Sequence, residues 1–232
     1  INLDNSRITI DSYICLYHEA LYIDNDNLPN DNLPNNKTYN IYTKCFEKEF
    51  IKDTKLFYNI FSNNSIELIN NDITSFINKI SNIINYELLL CESRLETITK
   101  EKIKPLLIEV LISNNILAIM ETFNTYLVKA DFDVIKEIYL FINNYLIINE
   151  SSKFVNCFNN FCYEYCESNF KELKESKDSS IVTEKIIYVY EHIKKIISTC
   201  FDNNNVVSMQ FENIFRKHLN LIYKDNIILC NC

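Results

Sequence analysis

Three histidines, His18, His192 and His218, are the first place to look for chemistry in this chain. His18 opens the stretch HEALY, which starts like the HExxH helix of zinc proteases, where two histidines one turn apart hold the metal and the glutamate is the base. Tyr22 stands where the second ligand belongs, so the motif is absent. His192 and His218 fall in amphipathic segments beside charged residues, a setting that suits a structural imidazole better than a catalytic one. The nine cysteines, at 15, 45, 91, 157, 162, 166, 200, 230 and 232, form an odd set with no paired framework. Cys157, Cys162 and Cys166 share one helical segment, and Cys230 and Cys232 lie near the end. No second CxxC pair or histidine at ligand spacing joins them, which favours small buried hydrophobes over zinc.

Carboxylates offer Glu47 with Glu49 and Glu172 with Glu175, each pair among lysines. That pattern belongs to a solvated helix face with i,i+4 pairing, and no general acid or base of altered pKa is expected. The chain contains no glycine, which excludes a P-loop and a dinucleotide fingerprint, because both need glycine to bring backbone amides against phosphate. Catalytic, cofactor-binding and metal-binding residues are therefore all read as none, and residue types alone single out no partner-binding set.

The elements that would position such residues are helical. Hairpin turns of the primed types lean on positive φ, which glycine supplies best, so 232 residues without one are hard to fold as β structure. Asparagine, abundant here, can take the left-handed conformation at helix ends. At 47% hydrophobic and 23% charged the chain has a globular composition. Its net charge of −8 and the lack of a lysine patch interleaved with aromatics argue against nucleic acid. Uninterrupted apolar runs such as Ile116 to Met120 fall short of the roughly 18 residues of a membrane span. No signal-peptide pattern is present, although the first residue is not Met. The unpaired cysteines fit a reducing compartment.

Periodicity places a first helix at Ser6 to about Ile23. An exposed loop with a tandem DNLPN repeat follows from Asp24 to Thr38. The stretch YTKCFEKEFIKDTKLFYN then carries Phe46, Phe50, Phe57 and Phe61 as one apolar stripe, expected to be core. Asp72 caps a helix buried through Ile73, Phe76, Ile77, Ile80, Ile84 and Leu88. Another is expected from near Lys100 to near Ser113, starting late or bending at Pro105. Five more run Asn115 to Ala130, Phe132 to Ile148 with Asp131 as N-cap, Ser152 to Glu175, Ile181 to Phe201 with Ser180 as N-cap, and Asn205 to about Tyr223. An offset of about 108 positions lays Phe46 and Phe50 on Phe154 and Phe158, and one position more lays Ile77, Ile80, Ile84 and Leu88 on Ile186, Val189, Ile193 and Ile197. Such an echo is the mark of a long multi-helix repeat.

YTKCFEKEFIKDTKLFYN, ITSFINKISNIINYE, TITKEKIKPLLIEVLI, Asp131 to Leu140 and IISTCFDNNNVVSMQFENIFRKHLN resemble, in order, successive elements of the cullin family. Asn143 and Asn144 stand where that family often carries an arginine, and the loop at 24–38 resembles an expanded insertion. The resemblance implies an elongated right-handed stack of two five-helix cullin repeats, an incomplete one over 1–113 and a second over 114–232. It implies a non-catalytic stalk segment of a cullin-RING ubiquitin ligase, without cofactor, spacing substrate adaptor from RING module in the cytoplasm or nucleus. The implied partners are proteins. The adaptor and the RING-box subunit would bind regions outside this segment, an exchange factor is admitted, and neither membrane nor nucleic acid is involved. A helical-repeat tethering protein without a ligase role is the alternative reading.

Overall fold

In the computed structural model, residues 42–95, 97–145, 148–171, 173 and 178–225 are described. The expected helix at Ser6 to Ile23 and the loop at Asp24 to Thr38 lie outside them. A π-helical turn, Tyr42–Glu47, leads into α1 (Lys48–Asn63), followed by α2 (Ile66–Asn71), α3 (Ile73–Arg94) and α4 (Thr97–Leu111). A 3-10 turn, Ser113–Asn115, precedes α5 (Ile116–Lys129), α6 (Phe132–Tyr145), α7 (Ile148–Phe170), α8 (Ser179–Cys200) and α9 (Asn205–Asp225). Among the described residues there is no strand, so the fold class is all-α and built of helical repeats.

These helices divide into two compact units. The described part of the first comprises residues 42–65 and 79–114, and that of the second 66–78 and 115–225. In the first unit α1 packs on α4. The buried line runs from Phe46 in the π-helical turn along the i+4 row of α1 through Phe50, Tyr58 and Ser62, the ridge along which a neighbouring helix crosses. Phe57 and Phe61, expected in the core, are only half-buried on the flank of that row, where the Lys79 ammonium lies 4.8 Å from the Phe61 ring centre. Opposite them α4 buries Ile103, Leu107, Val110 and Leu111. Pro105 sits inside α4 on the exposed side, so its missing amide and its ring leave the packing face intact, and the helix begins at Thr97 rather than near Lys100.

In the second unit α7 packs on α9 and α8 on α6, while α5 contacts α2, α6 and α7. At the echo offset α1 corresponds to α7 and α4 to α9, and each pair is in contact within its own unit. One helix pair of the echo thus recurs as a packed pair in each unit. At the centre of the second unit, Phe201 is fully buried, with ring centroids 4.9 Å from both Tyr139 and Phe158 and 5.4 Å from Phe154. Fully burying such a side chain is worth roughly 1.5–3 kcal/mol.

The helix ends show how a chain without glycine turns. After α5, Ala130 takes φ 57, its amide donates to the Leu127 carbonyl and the Asp131 amide to that of Tyr126. This is a Schellman stop with alanine in the left-handed position. Asp131 then caps α6, its Oδ1 accepting from the Val134 amide at 3.4 Å. Asp72 caps α3 in the same way, accepting from the Ser75 amide at 3.0 Å. The cap of α8 is Asp178 and not Ser180, because the carboxylate two residues earlier accepts from the Ser180 and Ile181 amides.

Residues 97–129 form the one stretch, among the described residues, apolar enough on composition to span a membrane, with mean hydropathy 1.6 over 18 of its residues. The 3-10 turn divides it into helices of 15 and 14 residues, each short of the roughly 20 needed to cross. Its apolar residues serve the two cores, with Ile103, Leu107 and Leu111 in one and Ile119, Phe123 and Leu127 in the other.

Candidate functional site

Within each unit, the described residues with chemical potential do not gather around a common space. His18 lies outside the described residues. His192 on α8 is half-buried, and its ring is stacked 5.0 Å from Tyr165 and 6.2 Å from Tyr188. Burial, aided by Lys195, lowers its pKa below the usual imidazole value. His218 on α9 is buried, its ring centroid 4.8 Å from Tyr163 and 6.3 Å from Phe170. Each imidazole is held between aromatic rings of its own unit.

Cys91, Cys157, Cys162, Cys166 and Cys200 are free thiols, and all but the half-buried Cys157 are buried. Burial pushes Cys91 and Cys166 up to about 12 and Cys157 and Cys200 to about 11. A thiol so far from ionisation is a poor nucleophile and a poor metal ligand. The Cys200 Sγ donates to the Phe132 carbonyl at 3.4 Å, the behaviour of a small core residue. Cys15, Cys230 and Cys232 fall outside the described residues. Among the described residues no group of three His, Cys, Asp or Glu side chains gathers.

Two carboxylates depart from the solvated-face expectation. Glu47 is buried at the start of α1, where its two oxygens accept from Thr99 Oγ1 at 3.0 Å and Lys102 Nζ at 2.8 Å, tying the π-helical turn to α4. Glu49 does lie on the surface, paired with Lys52 at 2.8 Å. Glu172 and Glu175 lie outside the described residues. Glu87 on α3 is buried, and its Oε1 accepts from the Tyr58 hydroxyl at 2.5 Å, joining α1 to α3. Desolvation raises the Glu87 pKa against the lowering effect of that hydrogen bond, and burial with the neighbouring carboxylate drives the Tyr58 pKa upward. The sequence signal for Glu87 was its place on the core side of ITSFINKISNIINYELLL, three residues past Ile84, which the apolar periodicity alone passes over.

Both clasps are polar cross-links between helices of one unit. A corresponding link in the second unit joins α8 to α9, where Glu212 Oε1 accepts from Lys194 at 2.7 Å and from Tyr190 at 2.9 Å. The Lys194 hydrogen bond holds the Glu212 carboxyl below its usual pKa. In chemical terms this arrangement fixes helices against one another. None of the three clasps places an acid, a base and a nucleophile around a common space.

The sequence model of the Cullin alpha solenoid domain matches residues 5–227. Cullin-5 of Dictyostelium discoideum is 24% identical to this chain over 190 residues, which is 80% of the chain and 24% of that protein. The chain thus spans about a quarter of the length of the curated relative it matches.

Proposed function

The chain belongs to the cullin family, and from that premise we propose that it acts as a non-catalytic scaffold segment of a multi-subunit ubiquitin ligase. In this reading its two helical repeats hold a substrate adaptor and a RING module of the longer protein at a set separation. The observation that carries the reading is the family match over residues 5–227, taken with apolar stripes that are spent within the two cores. Helical repeats suit such a role because each buries its stripes internally and leaves little slack. A fixed spacer raises the effective concentration of substrate lysines near the transferring enzyme without contributing a reacting group. The place of action in this proposal is the cytoplasm or nucleus, with proteins as the only partners.

Binding assays with purified components test the reading. A RING-box subunit is expected to bind the longer protein and to ignore this 232-residue segment. Capture by the segment alone would place the recruiting surface here and overturn the assignment as a spacer.

A further inference from the structure

Where α7 and α9 end side by side in the second unit, a groove of about 480 Å³ opens. Its base is apolar and aromatic, made of the buried side chains Phe170, His218 and Ile222. Tyr163 stands on one wall, half exposed, with its ring against His218. Glu164 and Glu167 complete that wall, both exposed.

These two carboxylates are three residues apart and so face the same side of α7, where like charges repel. Neither forms an ion pair among the described residues, although Lys171 lies one turn past Glu167 in the orientation that favours pairing. By contrast, the half-buried carboxylate of Glu212 in this unit is paired with a lysine of its own chain. A planar cation laid against Tyr163 and held by the two carboxylates would relieve the repulsion and use the aromatic surface.

We propose that this groove receives an arginine side chain presented by a segment of a partner protein. Arginine fits better than lysine because a guanidinium stacks on a ring face while donating in its own plane to carboxylates, whereas an ammonium is a hydrated point charge. The volume lies in the range of a pocket that takes one such side chain with its flanking residues. The chain's net charge of −8 favours the approach of a cationic partner. The inference goes beyond the scaffold reading and stands independently of it.

The test uses the 232-residue chain with Ile and Leu methyl groups labelled for NMR, so that Leu221 and Ile222 report from the groove. The probe is acetyl-Ala-Leu-Arg-Leu-Ala-amide, and the control replaces arginine by citrulline, its uncharged isostere. The arginine peptide is expected to shift the Leu221 and Ile222 methyls and to bind at least tenfold more tightly than the citrulline peptide. The double variant Glu164→Gln/Glu167→Gln, which changes only exposed side chains, should remove that preference and leave the unfolding midpoint in place. Lys171→Gln should strengthen binding by taking away a competing cation. Equal binding of the two peptides, shifts elsewhere than the groove, or a preference that survives the double variant would each overturn the proposal.

Discussion

Glu87 is a buried acid whose work is done by its hydrogen bond to Tyr58, and its charge is a burden to the fold. The sign of its pH dependence follows from the raised pKa. The folded state holds the proton more tightly than the unfolded chain, so Glu87 favours folding below the ordinary glutamate value, and that contribution is lost as pH rises through the raised folded value. Glu87→Gln keeps an oxygen for the Tyr58 hydroxyl and removes the desolvated charge. The variant is expected to be more stable than the natural chain at pH 8 by about 1 kcal/mol, the scale of a desolvated polar group. The difference should vanish near pH 4. Urea midpoints across that range check this, and a pH-independent difference would mean that folding leaves the affinity of Glu87 for its proton unchanged. Glu212 has the opposite sign, since Lys194 lowers its pKa, and any stability it lends is lost as pH falls. Its exposure to solvent keeps that contribution small.

Helix ends and helix faces were legible in the sequence to different degrees. Apolar periodicity located the core face of α3, where Ile73, Phe76, Ile77, Ile80 and Ile84 are buried, and the spans of α5, α6, α8 and α9, because a half-buried helix must repeat its apolar residues about every 3.6 positions. It misplaced the second half of the α1 stripe, since periodicity shows that a face is apolar but not the angle at which a neighbour crosses it. Tyr58 and Ser62 lie along the crossing, and Phe57 and Phe61 beside it. The caps at Asp72 and Asp131 followed from residue type, whereas Ser180, read as the cap of α8, yields that place to Asp178 two residues earlier, whose carboxylate is the stronger acceptor. The left-handed turns were foreseen for asparagine, and the structure puts Ala130, Asp202 and Asn203 there. Ala130 is the costly one, because its Cβ crowds the carbonyl while Asp and Asn bond locally. Ala130→Gly is therefore expected to stabilise the second unit by about 0.5–1 kcal/mol, and Asn203→Gly by less. Denaturant midpoints of the two variants decide it. Phe201→Ala works on the same unit in the other direction. It empties the space among Tyr139, Phe154 and Phe158 and should cost about 3–5 kcal/mol, against a much smaller loss for the half-buried Phe57→Ala.

A whole molecule made of such units works, in the proposed role, through distance. Residue types pointed to no functional site because, among the described residues, His192, His218, Cys91, Cys162, Cys166 and Cys200 are spent on packing, and the buried acids on cross-links. The longer protein that the proposal invokes would offer a direct check of whether rigidity is the contribution. On that proposal, replacing residues 42–225 by a Gly/Ser linker would leave the flanking regions able to bind their partners, but substitute a flexible coil for packed helices. For a flexible tether the effective concentration falls steeply once its length exceeds the best span, and the ends sample many separations besides the productive one. Ubiquitin transfer to a bound substrate is expected to slow tenfold or more in the swapped protein, with the affinities for adaptor and RING-box subunit unchanged. Phe201→Ala, placed in the same protein, should fall between the two, since it loosens one unit without removing it. Transfer at the natural rate through the flexible linker would show that connection alone suffices, and the packed aromatic core of the second unit would then need another purpose.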